Sequence, residues 1–383
     1  MVIDVETTIF QKGHPFSPTN RLCAVGIGAH KDSPIVLKVE YDAEPYGQTL
    51  NTLRRFIDLH DVLVGFNLKF DLHWLRRYGV AFSHKPVWDC QLAQFIIECQ
   101  TNPYPSLNKA AEFWNLGRKV DAVAEQYWEN GIDTPDIPWD LLAAYTKQDI
   151  ALTRDVAECQ WAYLADKPKL QKLIELACKD LLILEEMEWN GIKYDVEASL
   201  KLADDLKSRA SYLCGVLDSL VGVSGINWNS GDQLSAVLYG GTIRQVRKEM
   251  HPFTYKNGRT LHKLKNVEHE LKFPRLVQPL KKTELKKPGY WATSADVLHD
   301  LKATGKAKKI IELVLELSDI DKQVGTYLQG IPEKIEEYGW DDNTIHGQLN
   351  QCVAVTGRLS SSNPNLQNNP HSIDLLFRSR YAD

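Results

Sequence analysis

The pattern of hydrophobic and polar positions over residues 1–165 alternates between strands and helices. Strands are predicted by the apolar runs MVIDVETTIF, LCAVGIGAH, PIVLKVEYD and DVLVGF, which are bounded by Gly, Pro or Asp. Helices are predicted where apolar residues return every three or four positions, in TLNTLRRFIDLH, NLKFDLHWLRRYG and WDLLAAYTKQDIALTRDVAECQWAYL. Strands that alternate with helices in this way indicate an α/β domain with a mixed sheet.

The pattern changes to long helices over residues 166–340. A helical period runs through KLQKLIELACKDLLILEEMEWNG, DVEASLKLADDLKSRASYLCGVLDSLVG and KAKKIIELVLELSDIDKQVGTYLQGIPEKIEEYG, and Asn229 or Ser230 is a predicted helix cap. Residues 242–288 interrupt these helices with little periodicity and predict an extended arm or a hairpin. Residues 341–383 are polar and rich in turn residues, so we expect a third, short region there.

Charge is distributed unevenly along the chain. Residues 242–288 hold thirteen Lys or Arg and four Asp or Glu, a net charge of +9, so the remainder carries −14 of the total of −5. Such a basic insertion is suited to binding phosphates with release of counterions. A solvated loop or a site for a partner protein would explain the same composition.

Other features of the composition point to a protein of the cytoplasm. No apolar run approaches the ~20 residues of a membrane helix, and no charged-then-apolar leader is present. The seven cysteines are scattered and form no C-x-x-C pair, which indicates reduced thiols. At 383 residues, the chain is long enough for more than one domain.

Two acidic residues occupy the first predicted strand. Asp4 and Glu6 are two positions apart, so both side chains point to the same face. Close like charges repel, and burying them without a partner costs free energy. We therefore expect a positively charged group to neutralise them.

Three further residues are expected to complete this acidic site. Asp71 follows Asn67 by four residues at the start of a predicted helix, and Asp149 follows Tyr145 by four on the long helix. Each spacing places its two residues on one helical face. Taken alone, the first pair is typical of a helix cap with a favourable acid, and the second of an exposed helix face.

Together, these residues predict a metal site with hydrolytic chemistry. Carboxylate oxygens favour hard divalent cations, so we expect two Mg²⁺, or Mn²⁺, on Asp4, Glu6, Asp71 and Asp149. Two such ions suit the hydrolysis of a phosphodiester. Tyr145 would orient the attacking water through its hydroxyl group.

Three segments resemble the motifs of a known nuclease family. VIDVETT, GFNLKFD and YTKQD are similar to the three motifs of the DEDD 3′–5′ exonucleases, in the variant with a tyrosine in the third motif. The resemblance implies an RNase H-like fold and two-metal hydrolysis from a 3′ end. It also implies that Asp4, Glu6, Asp71, Tyr145 and Asp149 are catalytic. Thr7 and Asn67 would contact the substrate strand.

The second half of the chain resembles a polymerase family. MEWNGIKYD and WNSGDQLSAVLYG are similar to thumb segments of the family A DNA polymerases, and GYWATSADVL and TGRLSSSNPNLQNNP to the segments that lead into the palm. This implies that Arg358, Asn365 and Asn368 contact the DNA primer-template. It assigns residues 1–165 to the exonuclease and 166–340 to a mainly helical thumb. Residues 341–383 would be an incomplete palm.

The chain also departs from that family. Where the family reads Asn-Ile-Pro and then a basic residue two positions on, this chain reads Asn368-Asn369-Pro370-His371-Ser372. The palm's metal-binding aspartates and the fingers helix have no counterpart. We therefore expect no polymerase active site in this chain. The resemblance suggests part of a bacteriophage-type enzyme, which would act in the host cytoplasm.

The expected function is proofreading during DNA replication, and two alternatives remain open. In the first alternative, the chain is a non-catalytic DNA-binding half of a split polymerase. In the second, it is an RNA 3′-processing exonuclease. Expected partners are primer-template DNA, a single-stranded 3′ end, and either the missing polymerase half or a processivity factor.

Overall fold

The structure is a computed structural model in which the chain forms two compact units. One unit comprises Met1–Val196 together with Ile331–Asp383, and the other comprises Glu197–Gly330. The residues that the structure describes are 1–29, 32–39, 46–119, 121–255 and 260–379. The functional boundaries expected at residues 165 and 340 stay predictions.

A five-stranded sheet forms the centre of the first unit, in the order β3-β2-β1-β4-β5. Its strands are β1 (Val2–Thr7), β2 (Leu22–Gly28), β3 (Ile35–Lys38), β4 (Leu63–Gly65) and β5 (Val87–Asp89). β1 pairs antiparallel with β2 and parallel with β4, so the sheet is mixed, as the sequence predicts. The third predicted strand ends at Lys38, and its residues 40–42 lie outside the described residues.

Helices cover the sheet and extend the first unit. They are α1 (Tyr46–Leu59), α2 (Leu68–Arg77), α3 (Cys90–Ile97), α4 (Leu107–Phe113), α5 (Ala122–Gln126), α6 (Trp139–Leu164) and α7 (Pro168–Asn190), and a strand β6 (Ile192–Tyr194) follows them. The bounds of α6 are those of the predicted long helix. The core between sheet and helices is apolar and includes the fully buried side chains of Trp74 and Phe95.

The second unit is mainly helical and carries one long hairpin. Its elements are α8 (Val196–Val221), α9 (Gly231–Tyr239), β7 (Gly241–Thr254), β8 (Thr260–Phe273), α10 (Ala295–Asp300) and α11 (Gly305–Lys322), followed by a π-helical turn over Gln323–Leu328. Ser230 caps α9, since its Oγ accepts a hydrogen bond from the backbone N–H of Gln233 at 3.4 Å. Residues 242–273 of the basic insertion lie in the hairpin β7–β8, whose residues 256–259 lie outside the described residues, and residues 274–288 of the insertion follow the hairpin.

The remaining elements return to the first unit as small sheets. They are α12 (Gly330–Tyr338), β9 (Thr344–Ile345), β10 (Gln348–Asn350), β11 (Ser360–Ser362) and β12 (Phe377–Arg378). β6 lies between β12 and β9, and β10 pairs with β11. The last residues of the expected palm, 380–383, lie outside the described residues. Within the described residues, no helix is long and apolar enough to cross a membrane.

Ion pairs connect α2 to α7 and to β10. Glu188 of α7 accepts hydrogen bonds from the Lys69 ammonium at 2.5 Å and from the His73 imidazole at 2.7 Å. The same carboxylate accepts from the backbone N–H of Leu349 in β10 at 2.6 Å. One turn further along α2, the Arg76 guanidinium contacts both oxygens of Glu185. Because the two glutamates are buried, these pairs fix the position of α2 in the unit.

Glycines in β2 allow α6 to approach the sheet closely. Gly26 lies opposite Asp4, and Gly28 lies opposite Val2. A Cβ atom on Gly26 would come within 2.6 Å of Thr146 Cγ2, and one on Gly28 within 2.5 Å of an Ile150 methyl group. The missing side chains therefore create the space that α6 occupies on the face of the sheet that carries Asp4.

We expect Gly26→Val to destabilise the protein. The added side chain forces α6 away from β2, and overpacking of this kind costs about 1–3 kcal/mol. Urea unfolding would measure the change in the free energy of unfolding. Gly47→Ala is the matched control, because nothing lies within 4 Å of a Cβ at that position. Equal stabilities of Gly26→Val and wild type would contradict the close packing.

Candidate active site

Three carboxylates converge where β1 meets α6. Asp4 and Glu6 project from β1, and Asp149 lies on α6. One oxygen from each of the three lies within 4.8 Å of the others. The period of two along the strand places the first two on one face, and the close packing of α6 brings the third to them. The structure thus assembles three of the acids that the sequence singles out.

Asp71 lies beside this group but points at the strand backbone. Its Oδ1 accepts a hydrogen bond from the backbone N–H of Val5 at 2.9 Å, and the side chain is buried. Val5 lies between Asp4 and Glu6, so the fourth carboxylate borders the other three. A metal ion at this site would thus meet two strand acids flanked by one acid from each of two helices.

Loss of hydration dominates the electrostatics of the four acids. It raises the pKa of Asp4 to about 8, with a further contribution from Asp149. Burial, and then the neighbouring Asp4, hold the pKa values of Glu6 and Asp71 well above the ordinary range. Burial also raises the pKa of Asp149. The site therefore favours the binding of protons or of cations, because either reduces the negative charge of the four acids.

The donor set fits a divalent cation. All of the converging atoms are carboxylate oxygens, which hard cations such as Mg²⁺, Mn²⁺ and Ca²⁺ prefer. Among the described residues, Asp149 Oδ1 is buried without a hydrogen-bond partner. A buried acceptor of this kind is usually satisfied, and an ion is one of the groups that satisfies it.

Lys119 is a member of the site that the sequence analysis missed. Its ammonium donates hydrogen bonds to Tyr145 Oη at 2.7 Å and to Asp149 Oδ2 at 2.9 Å. It lies in the segment between α4 and α5, outside any periodic pattern, so no spacing in the sequence connects it to the acids. Tyr145 therefore contacts the carboxylates through this lysine, and burial raises the pKa of its phenol.

Asp89 is a second residue that the sequence analysis missed. Its carboxylate caps two helices, accepting from the N–H of Leu68 in α2 at 2.8 Å and from those of Gln91 and Leu92 in α3 at 2.8 and 3.1 Å. The available signal was an acid between a tryptophan and an apolar run, which is a typical helix start. Because Asp89 caps α2, the side chain of Asn67 is not needed as a cap.

The two residues expected to contact the strand lie at the end of β1 and just before α2. Asn67 has left-handed backbone angles (φ 59°, ψ 44°), makes no capping hydrogen bond with its side chain, and is exposed. Thr7 is half-buried at the end of β1, just after an irregularity in the pairing with β2. Glu6 is held from α6, because Thr146 Oγ1 donates to Glu6 Oε1 at 3.0 Å.

The expected primer-template contacts lie around β11. Arg358, Asn365 and Asn368 are all exposed. The buried Ser361 organises the turn that presents the two asparagines, since its Oγ accepts from the N–H of Leu366 at 3.1 Å. Asn365 uses its own Oδ1 within the turn, as an acceptor for the N–H of Gln367. These residues form a polar surface, and their roles stay predictions.

We expect Asp4→Asn to stabilise the metal-free protein at alkaline pH. Between 3.8 and the raised pKa of about 8, the folded protein binds more protons at Asp4 than the unfolded chain does. The free energy of unfolding of the wild type therefore falls as pH rises through this window. Asp4→Asn does not lose stability in this way, so the difference in the free energy of unfolding between the variant and the wild type should grow with pH. Urea unfolding in EDTA across the window would measure it.

Asp204→Asn provides the control for this pH dependence, because Asp204 is an exposed acid of the second unit. Its stability should follow that of the wild type at every pH. An Asp4→Asn variant that is no more stable than wild type at the upper end of the window would contradict the electrostatic account.

Comparisons with known proteins identify two parts of the chain. Residues 2–165 match the family described as 3′–5′ exonuclease. Residues 269–382 match DNA polymerase family A. The first match contains all four acids and Tyr145. The second contains the end of the hairpin β7–β8 and the segments with Arg358, Asn365 and Asn368.

The curated relatives are bacterial polymerases. DNA polymerase I of Bacillus subtilis is 26% identical over 284 residues, which cover 74% of this chain and 27% of that protein. The thermostable DNA polymerase I of Thermus aquaticus is 30% identical over 200 residues, covering 52% of this chain and 19% of the relative. The chain spans about a quarter of the length of relatives such as the Bacillus enzyme.

A solved structure has the same fold. The POL domain of Pol1 from M. smegmatis, in complex with DNA primer-template and dNTP, aligns with a TM-score of 0.65 at 18% identity. The alignment covers 96% of this chain and 52% of that one. It confirms the fold class expected from the sequence. The chain is thus similar to the 3′–5′ exonuclease family over residues 2–165 and to DNA polymerase family A over residues 269–382.

Proposed function

We propose that this chain is a metal-dependent 3′–5′ DNA exonuclease that proofreads for a family A DNA polymerase. The observation that carries the proposal is the convergence of Asp4, Glu6 and Asp149, with oxygens within 4.8 Å of one another. Asp71 borders this group on the backbone of β1. Four carboxylates side by side offer enough oxygen ligands for two Mg²⁺, and Mn²⁺ has the same ligand preferences.

Each residue of the site has a distinct task in this proposal. Asp4, Glu6, Asp71 and Asp149 would hold the ions. When bound, the ions lower the pKa of a water and stabilise the negative charge that develops on the phosphate. Tyr145 would orient the attacking water with its hydroxyl group. Thr7 and Asn67 would contact the strand that enters the site.

Selectivity for mismatched ends follows from the cost of unpairing. A 3′ nucleotide must leave the duplex to reach a buried acid group, and unpairing a mismatched end costs less free energy. Mismatched ends would thus occupy the site more often.

We propose that residues 1–165 perform the hydrolysis, 166–340 act as the thumb, and 341–383 contribute to the palm.

We expect Asp149→Ala and Asp4→Ala each to abolish most of the hydrolysis. Losing a group in the outer shell of a metal site costs about 10–100-fold, so losing a direct ligand should cost more. Tyr145→Phe should cost less than either, because the four acids remain. The measurement is shortening of a 5′-labelled primer-template with a mismatched 3′ end, in Mg²⁺ and in EDTA.

The same assay separates the alternatives. Faster shortening of single-stranded RNA than of DNA would favour the RNA-processing alternative. Tight primer-template binding without cleavage, in a folded protein, would favour the non-catalytic half of a split polymerase. Metal-dependent cleavage that survives in both acid variants would contradict the site assignment. A parallel reaction with dNTPs should show no extension.

The hairpin β7–β8 is proposed to bind the DNA backbone. Lys248, Lys263 and Lys265 are exposed, and within the described residues none of them forms an ion pair. Lys263 lies 4.4 Å from the ring centroid of Phe253 near the tip. Both strands of the hairpin are fourteen residues long, and most of their residues are exposed. Arg358 would reach into the minor groove, where acceptors are similar for all base pairs, and Asn365 and Asn368 would contact the primer-template.

We expect replacement of Lys248, Lys263 and Lys265 by Gln to weaken binding of duplex DNA. Each lost phosphate contact should reduce the slope of log K against log salt by about 0.9, so the slope should fall by up to roughly 3. Fluorescence anisotropy over a salt series would measure both quantities. The control replaces the exposed Lys169, Lys172 and Lys179 of α7 in the same way. An unchanged slope would favour a protein partner, such as a processivity factor, for the hairpin.

We propose that the protein is of bacteriophage type and that it acts in the cytoplasm of the host cell. The named relatives are bacterial, and the bacteriophage-type assignment rests on the resemblance in the sequence. A cytoplasmic site of action agrees with a DNA substrate.

A further inference from the structure

The ammonium of Lys119 occupies a special position in the acid group. It bridges Tyr145 Oη at 2.7 Å and Asp149 Oδ2 at 2.9 Å, and it lies 3.3 Å from Asp121 Oδ1. The side chain is only 15% exposed. An ammonium has three N–H donors, and these three contacts can use all of them. The exonuclease mechanism proposed above includes no role for Lys119.

The segment that carries Lys119 is fixed independently of the ammonium. Asn108 of α4 accepts from the backbone N–H of Lys119 at 2.9 Å through its Oδ1. The amide nitrogen of the same asparagine donates to Asp121 Oδ2 at 3.1 Å. Asn108 thus holds the segment through the backbone of Lys119 and through the side chain of Asp121. A lysine that only covered the surface would not require such an anchor.

Contacts with Lys119 determine what the Tyr145 hydroxyl can do. The ammonium lies 4.5 Å from the ring centroid as well as within hydrogen-bond distance of the hydroxyl, and the Trp128 ring contacts the tyrosine edge-on at 5.4 Å. With one lone pair of Oη occupied by the ammonium, the hydroxyl retains one hydrogen and its other acceptor position. Its orientation is therefore restricted before any substrate binds.

We propose that Lys119 is a positioning residue of the exonuclease site, which holds the Tyr145 hydroxyl and the Asp149 carboxylate in one arrangement by a fixed positive charge. This inference rests on the proposed function. Two effects of opposite sign follow from it. The fixed charge repels a divalent cation and weakens its binding, whereas the fixed hydroxyl speeds the reaction once the site is loaded.

These opposite effects distinguish positioning from simple neutralisation of buried acids. If Lys119 only neutralised the buried acids, its loss would lower thermal stability and tighten Mn²⁺ binding but would leave the kcat of the loaded site unchanged. If it positions Tyr145, its loss should matter little in a protein that already lacks the phenolic hydroxyl. The double variant with Tyr145→Phe tests that dependence, since residues that act through one another give non-additive effects.

The experiment compares Lys119→Gln, Lys119→Arg and Lys109→Gln in the full chain. Lys109 is an exposed lysine of α4 and serves as the control for charge. Mn²⁺ binding is titrated by calorimetry, and steady-state cleavage of the mismatched primer-template gives kcat and KM. We expect Lys119→Gln to bind Mn²⁺ about tenfold more tightly or better, because a nearby like charge is removed. Its kcat should fall by about 10–100-fold at an unchanged KM.

The other variants test whether the effects come from the charge of Lys119 and from its contact with Tyr145. Lys119→Arg should keep the weak Mn²⁺ binding of the wild type and recover part of kcat, because it keeps the charge. Lys109→Gln should match the wild type in both measurements. In the Tyr145→Phe background, Lys119→Gln should lower kcat by less than about threefold, which is well below its effect alone. If Lys119→Gln fails to fold, Lys119→Met, which keeps the apolar stem of the side chain, takes its place.

Failure of this proposal and failure of the proposed function give different results. A wild type that cleaves DNA, with a Lys119→Gln variant of unchanged Mn²⁺ affinity and kcat, would overturn the role of Lys119 alone. Additive losses with Tyr145→Phe would overturn it as well. A folded wild type that binds Mn²⁺ but cleaves no DNA would instead overturn the exonuclease proposal.

Discussion

Crowding of carboxylates on one face of β1 is the constraint on which the rest of the exonuclease domain depends. Desolvation makes each of these charges unfavourable, and their proximity increases the effect. The surrounding structure responds in three ways. Glycines in β2 allow α6 to bring Asp149 close, Asp89 holds the start of the helix that carries Asp71, and Lys119 contributes a positive charge. A domain built only for stability would place apolar side chains here.

Much of this site could be predicted because its main signals are local. The period of two in β1 and the i, i+4 spacing on α6 indicated which faces carry Asp4, Glu6, Tyr145 and Asp149. Asn67 precedes α2 with left-handed backbone angles, so the expected helical face shared by Asn67 and Asp71 was wrong. The structure brings three of these acids within 4.8 Å of one another, with Asp71 beside them. The bounds of α6 were also predictable, since its apolar period is long and regular.

Other features depend on tertiary contacts that no periodic pattern encodes. Lys119 reaches the site from an irregular segment, and its partners lie 26 and 30 residues away. Asp89 looks like an ordinary cap for α3, and its second bond to α2 depends on how β5 pairs with β4. The hairpin β7–β8 was expected only as an arm or hairpin, because most of its strand residues are exposed and alternation between half-buried and exposed positions is confined to the end of β8.

Helix α2 links the acid group to the segment that follows α12. One of its faces presents Asp71 to β1, while another is joined through Lys69 and His73 to Glu188, which also binds the backbone of β10. β10 in turn pairs with β11, beside the residues expected to meet DNA. Because α2 contacts both β1 and, through Glu188, β10, a displacement of β10 would be transmitted along this helix to Asp71. If binding of duplex DNA displaces β10 and thereby changes the affinity of the acid group for a cation, thermodynamic linkage requires the cation to change the affinity for that duplex by the same factor.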